Sequence, residues 1–369
     1  MPCKTIVGPE AKTLGHHAKW TMLSPHLRRY GSEALAYATL QEGMEYFVDD
    51  SGYIAFITVH HPVLARQGRR IALSEPICAP ENRAALIRKF LADHPHAAFA
   101  VISEPCAEVL RGMGFQINCL GYEPELPIQT YNTKGNWKEL DLIKRARNEA
   151  KREGLVIREE QKIDKVDRAQ ITAISAKWLA SKKVNDREIW IYARRPVLHY
   201  EEDVRKFVAY DREGGVAGFT FYDPMYRDER VFGYAATIVR CDEERFGRLA
   251  TAIHMEAMDK FKMEGKEVLN LCLAPFVNLH RGKYNDDIGA KVFFQLSERY
   301  GNKIYNFQGL SFHKSKYRGS EKSLYFASNR KMASMDVYLA FLSSDITRSY
   351  WATVFRLLWG MLTAMRKQR

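Results

Sequence analysis

Two lysines separated by one residue, Lys314 and Lys316, are the side chains whose type and spacing best suit chemistry. They follow an apolar stretch, residues 303–307, that predicts a strand. If the chain stays extended beyond that strand, side chains two residues apart lie on one face. Paired ammonium groups beside a cleft would offset the negative charge that develops on a carbonyl oxygen during acyl transfer. We expect Lys316 to stabilise an oxyanion or a phosphate and Lys314 to assist it; a solvated lysine pair on a loop is the alternative.

Amides and carboxylates supply the other candidates. Asn306 and Gln308 alternate onto one face in the same way, and amides can order an ester or a ribose hydroxyl without adding charge. Hydrogen bonding at a strand edge explains the two amides equally well. Asp223 follows an apolar run and precedes a proline, so it could hold an amine, accept a hydroxyl proton or simply initiate a turn. Glu75 and Glu123 are acidic candidates of the same kind.

Histidines and cysteines lack the spacing of a metal site. The chain has six cysteines without a Cys-x-x-Cys pair, and two pairs of its histidines are adjacent in sequence and therefore point apart. Buried reduced thiols in a cytoplasmic protein are the simplest interpretation of the cysteines. The sequence predicts neither a metal nor another cofactor.

These residues are positioned by elements that occur twice along the chain. In each half a helix, an apolar strand, a short helix, a glycine and a second strand follow one another. They are 81–92, 97–102, 106–111 and 115–120 in the first half, and 247–263, 267–273, 292–299 and 303–307 in the second. This order resembles the last half of a GCN5-related acetyltransferase (GNAT) domain, with two unrelated segments as the alternative. The expected fold class is α/β, with two fused GNAT-like acyltransferase domains, each a mixed sheet with flanking helices.

A charged helix predicted at 137–153, after a polar loop at 130–135, separates the halves. The predicted domains are an N-terminal GNAT-like domain at 1–130 and a C-terminal GNAT-like catalytic domain at 131–335. Residues 336–369 form a basic amphipathic tail that includes a strong helical period. That tail helix either packs on the body or lies on an anionic membrane surface.

The balance of charge is strongly basic. The chain carries a net charge of +12 and has a sequence pI near 9.3. Such a surface attracts polyanions, including RNA, anionic lipid head groups and phosphorylated carriers. The first residues show no apolar signal region, and no run reaches the about 20 apolar residues that a membrane span needs. We therefore expect a cytoplasmic protein that can lie peripherally on the inner face of the membrane.

Two stretches at and before the lysine pair Lys314 and Lys316 carry a family resemblance. Residues 305–310 read Tyr-Asn-Phe-Gln-Gly-Leu, and residues 313–317 read His-Lys-Ser-Lys-Tyr. They resemble the C-terminal domain of phosphatidylglycerol lysyltransferases, in which Tyr-Asn-Phe-Gln-Gly-Leu is followed by Phe-Lys-x-Lys-Phe. Residues 271–275, Leu-Cys-Leu-Ala-Pro, resemble the Leu-Gly-Met-Ala-Pro of that family. The similarity spans about residues 35–330.

The resemblance implies a tandem-GNAT protein with a passage between its halves. Family members take an aminoacyl group from aminoacyl-tRNA and place it on a lipid hydroxyl, without metal, ATP or a covalent enzyme intermediate. The matching positions make Lys134, Lys144 and Arg240 further substrate-binding candidates. They also make aminoacyl-tRNA and an anionic phospholipid or membrane surface the expected partners.

Three departures from the family pattern affect this interpretation. Thr237 stands where the family has an acidic residue, which weakens the expectation of a lysyl group if that acid recognises a cationic amino acid. Lys144 and Glu149 stand where the family helix has arginines. His313 stands where the family has phenylalanine, and both a proton-accepting role and a packing role are open.

Two other functions stay open. One is a GNAT-type acyltransferase that uses an acyl-CoA or acyl-carrier-protein thioester in lipid or envelope synthesis. The usual coenzyme A pattern, Arg/Gln-x-x-Gly-x-Gly/Ala, is replaced at 244–249 by Glu-Arg-Phe-Gly-Arg-Leu, which argues against coenzyme A itself. The other is a non-enzymatic, basic, membrane-associated binding protein.

Overall fold

The computed structural model describes residues 4–6, 14–132, 141–180, 192–242, 244–300 and 307–344. The helices in these ranges are α1 (His16–Tyr30), α2 (Arg83–Asp93), α3 (Glu104–Gly112), α4 (Asp141–Arg152), α5 (Lys165–Ala180), α6 (Leu249–Met263), α7 (Ile288–Tyr300), α8 (Phe307–Ser315) and α9 (Ala333–Ser343). The strands are β1 (Lys4–Ile6), β2 (Glu45–Asp49), β3 (Gly52–His61), β4 (Ala65–Leu73), β5 (Ile77–Cys78), β6 (Ala97–Ile102), β7 (Gln116–Pro127), β8 (Val156–Glu159), β9 (Arg205–Tyr210), β10 (Val216–Arg227), β11 (Arg230–Cys241), β12 (Val268–Asn270), β13 (Ala274–Pro275) and β14 (Ser320–Ser328).

The strands form one mixed sheet. Its order is β1-β2-β3-β4-β6-β14-β7-β12-β11-β10-β9-β8, with β5 on β3 and β13 on β7. Among the described strands, β4 pairs in parallel with β6, and β11 pairs in parallel with β12. A parallel connection needs a crossover, and α2 and α6 supply it in the first and second half. The helix, strand and short helix of the predicted repeat are therefore present in both halves, and its last strand is β7 in the first half. The last strand predicted for the second half, at 303–307, lies mostly outside the described residues.

Strand β14 joins the two halves. It comes from the last described part of the chain, yet it pairs with β6 and β7, which both belong to the first 130 residues. On its other side β7 pairs with β12, so the sheet runs without a break from one half to the other. The boundaries at residues 130 and 335 stay a prediction. The topology adds that the sheet of the first half contains a strand from the second.

Each crossover helix is held on the sheet by aromatic contacts. In the first half, Phe90 of α2 contacts Phe56 and Phe99, with ring centroids 5.3 and 6.1 Å apart. In the second half, Phe261 of α6 stacks on Tyr234 of β11 at 4.3 Å. Burying one such ring contributes about 1.5–3 kcal/mol. The two halves thus position their central helices by the same physical means.

The main difference from the predicted elements is α8. The sequence predicts an extended segment after residue 307, whereas the structure has a helix from Phe307 to Ser315. Phe307 and Lys314 both lie on its buried side, because seven residues make about two helical turns. Most of the predicted strand at 303–307 lies outside the described residues.

Candidate active site

The candidate site opens where two parallel strands separate. Strands β11 and β12 pair only between Gly233–Ala235 and Val268–Asn270. Beyond Ala235, β11 continues beside β10 to Cys241, while the chain after β12 turns away at Cys272, whose φ is +61°. Ligands of open α/β sheets bind in the crevice outside the carboxyl ends of the strands. A cavity of about 820 Å³ occupies this crevice.

The cavity is bounded by both halves of the chain. Leu120 of β7 and Phe326 of β14 lie on one wall, and residues 236–240 of β11 lie on another. Its ionisable lining includes three cations and two histidines, which are Arg194, Arg240, Lys314, His254 and His313. A passage between the halves, which the family resemblance implies, stays a prediction.

Five phenylalanines form an apolar arm of the cavity: Phe276, Phe293, Phe294, Phe307 and Phe341. Phe276 stacks on Phe294 with centroids 5.4 Å apart and meets Phe307 edge-on at 5.1 Å. Phe293 contacts Phe341 of α9 at 5.8 Å. Such a wall suits a hydrocarbon chain, because each CH₂ group that it removes from water contributes about 0.8 kcal/mol.

Lys314 is the cation that α8 buries in the cavity wall. Its Nζ donates to the backbone carbonyl oxygens of Cys272 at 3.0 Å and Leu273 at 2.9 Å. Only 9% of the residue is exposed, and burial lowers the pKa of the ammonium to about 8 although Cys272 and Glu123 oppose this. An ammonium has three N–H donors, so the two carbonyl bonds leave a third. Lys314 can present that charged donor to the cavity.

Lys316 lies on the surface beside Phe312. Its Nζ is 4.1 Å from the Phe312 ring centroid, both side chains are exposed, and Lys316 is not among the described residues that line the cavity. The prediction that the two lysines share a face is wrong, because the helical turn continues through Tyr317, whose N–H donates to the Lys314 carbonyl oxygen at 3.2 Å. A catalytic role for Lys316 stays a prediction.

Four other predicted substrate-binding residues either do not line the cavity or lie beyond the described chain. Gln308 is exposed on α8, and its Nε2 donates to the carbonyl oxygen of Glu298 at 3.0 Å. Lys144 is half-buried on α4 and is not among the described lining residues. Asn306 and Lys134 lie outside the described residues.

Arg240 is a predicted substrate-binding residue that does line the cavity. Its guanidinium carbon lies 4.2 Å from the ring centroid of Trp178, and only 5% of the residue is exposed. Thr237, three residues earlier on β11, also lines the cavity. Because Thr237 replaces the acid of the family pattern, Arg240 gives this wall of the cavity a cationic character.

Two hydrogen-bonded pairs of a histidine and a tyrosine lie near Lys314, and the rings of His254 and Tyr317 connect them at a centroid distance of 5.7 Å. His254 Nδ1 lies 2.8 Å from the Tyr222 hydroxyl, and His313 Nε2 lies 3.3 Å from the Tyr317 hydroxyl. Burial, reinforced by nearby positive charge, lowers the pKa of His254 to about 3 and the pKa of His313 to about 4. Both imidazoles are therefore neutral near pH 7.

Asp223 lies behind the cavity wall in a buried ion cluster. Its two carboxylate oxygens accept hydrogen bonds from Arg194 at 2.9 and 2.8 Å, and Arg194 also pairs with Glu201. Lys206 lies 3.6 Å from Glu201. Burial opposes the charge of Arg194, but Asp223 and Glu201 raise the pKa of the guanidinium above its ordinary value. The geometry makes Asp223 an anchor that holds Arg194 at the cavity.

Sequence reasoning missed Arg194, Glu201 and His254. A signal for a missing cation was available, because an aspartate in an otherwise apolar strand needs a buried partner of opposite charge. Nothing local selects Arg194, which precedes Asp223 by 29 residues. His254 lies on the buried face of the predicted helix 247–263, so its helical spacing could have identified it.

Glu75 and Glu123 lie in the first half, and neither is among the described lining residues. Glu75 accepts a hydrogen bond from the Ser103 N–H at 2.9 Å, just before α3, and pairs with Arg83 at 2.6 Å. Glu123 is 3% exposed, and burial together with Glu125 raises its pKa to about 7. Glu75 therefore supports the start of α3, while Glu123 is a buried acid that titrates near neutrality.

Replacing Glu123 with Gln should stabilise the protein at alkaline pH. The pKa of Glu123 is raised to about 7 in the folded protein, so the folded protein binds the proton of Glu123 more tightly than the unfolded chain does. The stability that this difference contributes is present below the pKa of the unfolded chain and is lost as the pH rises through 7. We expect Glu123→Gln to raise the free energy of unfolding at pH 8 by up to about 3 kcal/mol. Little change is expected at pH 5. Denaturant titrations at both pH values measure this, with exposed Glu229→Gln as the control; equal effects at the two pH values would contradict it.

The described residues contain no group of three or more His, Cys, Asp and Glu side chains arranged to hold a metal ion. In that same part of the chain, every helix is too short or too polar to cross a membrane.

Comparison with known families identifies the chain. The family model described as phosphatidylglycerol lysyltransferase, C-terminal, matches residues 25–328. The chain belongs to this family. The family predicted from the motifs at 305–317 is confirmed, and so is the enzyme class, an acyltransferase.

Solved structures similar to this phosphatidylglycerol lysyltransferase family member share its fold. L-PGS from Bacillus licheniformis is 20% identical with a TM-score of 0.70, over 88% of this chain and 96% of that chain. The C-terminal domain of a putative lysylphosphatidylglycerol synthetase from Agrobacterium fabrum is 17% identical with a TM-score of 0.69, over 91% of this chain and 100% of that chain. The predicted GNAT-like α/β fold class is confirmed.

A curated relative of the family member comes from Corynebacterium glutamicum and is an uncharacterized protein. It is 21% identical over 325 residues, which make up 85% of this chain. The chain spans 39% of the length of that relative.

Proposed function

We propose that this chain moves an aminoacyl group from aminoacyl-tRNA to a lipid hydroxyl at the cytoplasmic leaflet of a membrane. The observation that carries the proposal is one cavity that combines the buried Lys314 ammonium with an arm of five phenylalanines. One end offers polar groups for ester chemistry and the other offers an apolar surface for a lipid chain. The family description, phosphatidylglycerol lysyltransferase, and the similar structure named as a putative lysylphosphatidylglycerol synthetase support a lipid acceptor.

The cavity supplies what an ester exchange requires. The reaction exchanges one alcohol for another on an acyl carbon, so it needs alignment, a proton acceptor and a donor for the oxyanion. We infer that the third N–H of Lys314, which its two carbonyl bonds leave over, donates to that oxyanion. Among the described strands, β12 pairs with β11 only as far as Ala235, and residues 236–240 of β11 line the cavity, so an acyl group can lie against this part of the strand.

The basic surface near the cavity supports a polyanionic donor. Helix α4 packs on α6 through an ion pair between Arg147 and Asp259 at 2.7 Å. The first residues of α6, Leu249 and Ala250, line the cavity. RNA bound along α4, where Lys144 lies, would therefore have its end close to the reaction site. The net charge of +12 favours the same donor and an anionic membrane.

A carboxylate at the start of α6 argues against the acyl-CoA alternative. GNAT enzymes that use coenzyme A bind its pyrophosphate with N–H groups at this helix terminus. Here Glu149 of α4 accepts a hydrogen bond from the Arg248 N–H at 3.3 Å and pairs with the Arg248 guanidinium at 2.5 Å. An acid at this point repels a pyrophosphate. An acyl-carrier-protein donor stays open.

The test is a transfer assay with defined donors. Purified protein is incubated with phosphatidylglycerol vesicles and tRNA charged with one radiolabelled amino acid at a time, and the extracted lipids are separated. We expect labelled lipid with at least one amino acid and a steep loss of product with added salt. Labelled acyl-CoA and acyl carrier protein are the comparison donors. Label transferred only from a thioester would replace the proposal, and no transfer from any donor would contradict an enzymatic function.

A further inference from the structure

The hydrogen bonds around His313 fix which ring nitrogen carries the proton. His313 and Tyr317 are four residues apart on one helical turn, so their side chains meet. The Tyr317 hydroxyl donates to Thr251 Oγ1 at 2.9 Å, and His313 Nε2 lies 3.3 Å from the same oxygen. Because a phenol has one hydrogen to donate, the Tyr317 oxygen must accept from Nε2. The neutral ring therefore carries its hydrogen on Nε2 and a lone pair on Nδ1.

His313 is neutral near pH 7 and lines the cavity beside Lys314. Burial lowers the pKa of its imidazole, and the charges of Lys314 and Lys316 add to the effect. The other titratable groups that face it are Tyr317 on its own segment and His254 on α6, which is uncharged at this pH. A neutral imidazole with a defined lone pair is equipped to accept a proton.

Two departures from the family pattern meet in this cavity. The family has an acid where this chain has Thr237, and phenylalanine where this chain has His313. Thr237 and His313 both line the cavity. This chain thus has no acid at position 237, and the histidine at position 313, which could take a proton, lines the same cavity.

We propose that His313 accepts the proton of the acceptor hydroxyl during acyl transfer, a role that rests on the proposed function. The hydroxyl oxygen bonds to the acyl carbon as its proton moves to Nδ1 of His313. The bond from the acyl carbon to the donor ribose oxygen then breaks, and that oxygen takes the proton from Nδ1. One ester forms, one ester breaks, and His313 returns to its neutral form. The oxyanion held by Lys314 compensates the transient imidazolium.

His313→Gln is the direct test. Glutamine keeps an amide N–H for the Tyr317 oxygen but has no basic nitrogen. With charged tRNA and phosphatidylglycerol vesicles, we expect kcat to fall by about 10²–10⁴-fold, the usual contribution of a general base, while KM for tRNA stays nearly unchanged. Imidazole in the buffer should restore part of the rate of His313→Ala. Exposed His280→Gln is the matched control and should keep wild-type turnover. Wild-type kcat in His313→Gln would overturn the proposal.

A second measurement tests the geometry without any substrate. In ¹⁵N NMR of histidine-labelled protein at pH 7, His313 should show the neutral form with hydrogen on Nε2, its signals being assigned with His313→Gln. Tyr317→Phe removes the acceptor and should let the form with hydrogen on Nδ1 appear. Hydrogen on Nδ1 in the wild-type protein would overturn the role of His313 whatever the transfer assay gives. An absence of transfer by the wild-type protein, with the expected NMR form, would instead overturn the proposed function.

Discussion

Lys314→Met should lower kcat for transfer by about 10²–10³-fold, the effect of removing one donor from a developing oxyanion. Methionine keeps the length and the apolar stem of lysine but has no N–H. The KM for the donor should change little, because the lost bond is strongest in the transition state. Turnover under saturating donor and vesicle concentrations measures the effect.

Folding must be separated from catalysis in this variant. Lys314→Met leaves the buried carbonyl oxygens of Cys272 and Leu273 without their donor, which costs about 1–3 kcal/mol of stability. Kinetics are therefore compared on protein whose melting curve shows that it is folded at the assay temperature. Lys316→Met is the matched control, because Lys316 is exposed and stacks on Phe312. If Lys316→Met loses turnover and Lys314→Met does not, the ranking predicted from sequence is right and the cavity argument is wrong.

The pH dependence of kcat gives Lys314 a second signature. Its pKa is lowered to about 8, so the ammonium loses its proton as the pH rises through that value. The oxyanion donor then loses its charge, and wild-type kcat should fall above pH 8. In Lys314→Met this descending limb should be absent. If kcat of Lys314→Met still falls above pH 8, a group other than Lys314 causes the fall.

Local sequence patterns predicted those helices and strands whose buried face is marked by regularly spaced apolar residues. Strand β6 was expected at 97–102 and is found at Ala97–Ile102, and the helix expected at 247–263 is found at Leu249–Met263. Helix α8 was missed because its sequence holds a glycine, two serines and alternating polar residues, which give no clear helical period. The burial of Phe307 and Lys314 against the rest of the protein decides its conformation, and that burial is not visible locally.

Asp223 shows a second limit of local reasoning. A turn was one expectation there, since proline follows, but β10 runs through both residues. Proline is tolerated because β9 pairs with β10 only as far as Tyr222, so the missing N–H of Pro224 faces no strand on that side. Neither this gap in the ladder nor the partner Arg194 can be read from neighbouring residues.

Arg194→Met should lower the free energy of unfolding by about 3–5 kcal/mol, because it leaves buried carboxylates without their main partner. In the wild-type protein Arg194 and Lys206 balance Asp223 and Glu201. After the substitution Lys206 still faces Glu201, but Asp223 has lost both of its guanidinium bonds. Chemical denaturation at pH 8 measures the loss.

The loss in Arg194→Met should depend on pH with a defined sign. Without its partner, buried Asp223 takes up a proton more readily than it does in the unfolded chain, so stability rises as the pH falls from 8 toward 5 and is lost as it rises again. Adding Asp223→Asn to Arg194→Met should remove this dependence and recover part of the stability, since an amide needs no counterion.

If the single variant Arg194→Met were as stable as the wild type at pH 8, the cluster would not support the cavity wall. If the double variant is folded and keeps wild-type kcat, Arg194 serves only the fold; a selective loss of turnover would mean that its guanidinium also contacts the substrate.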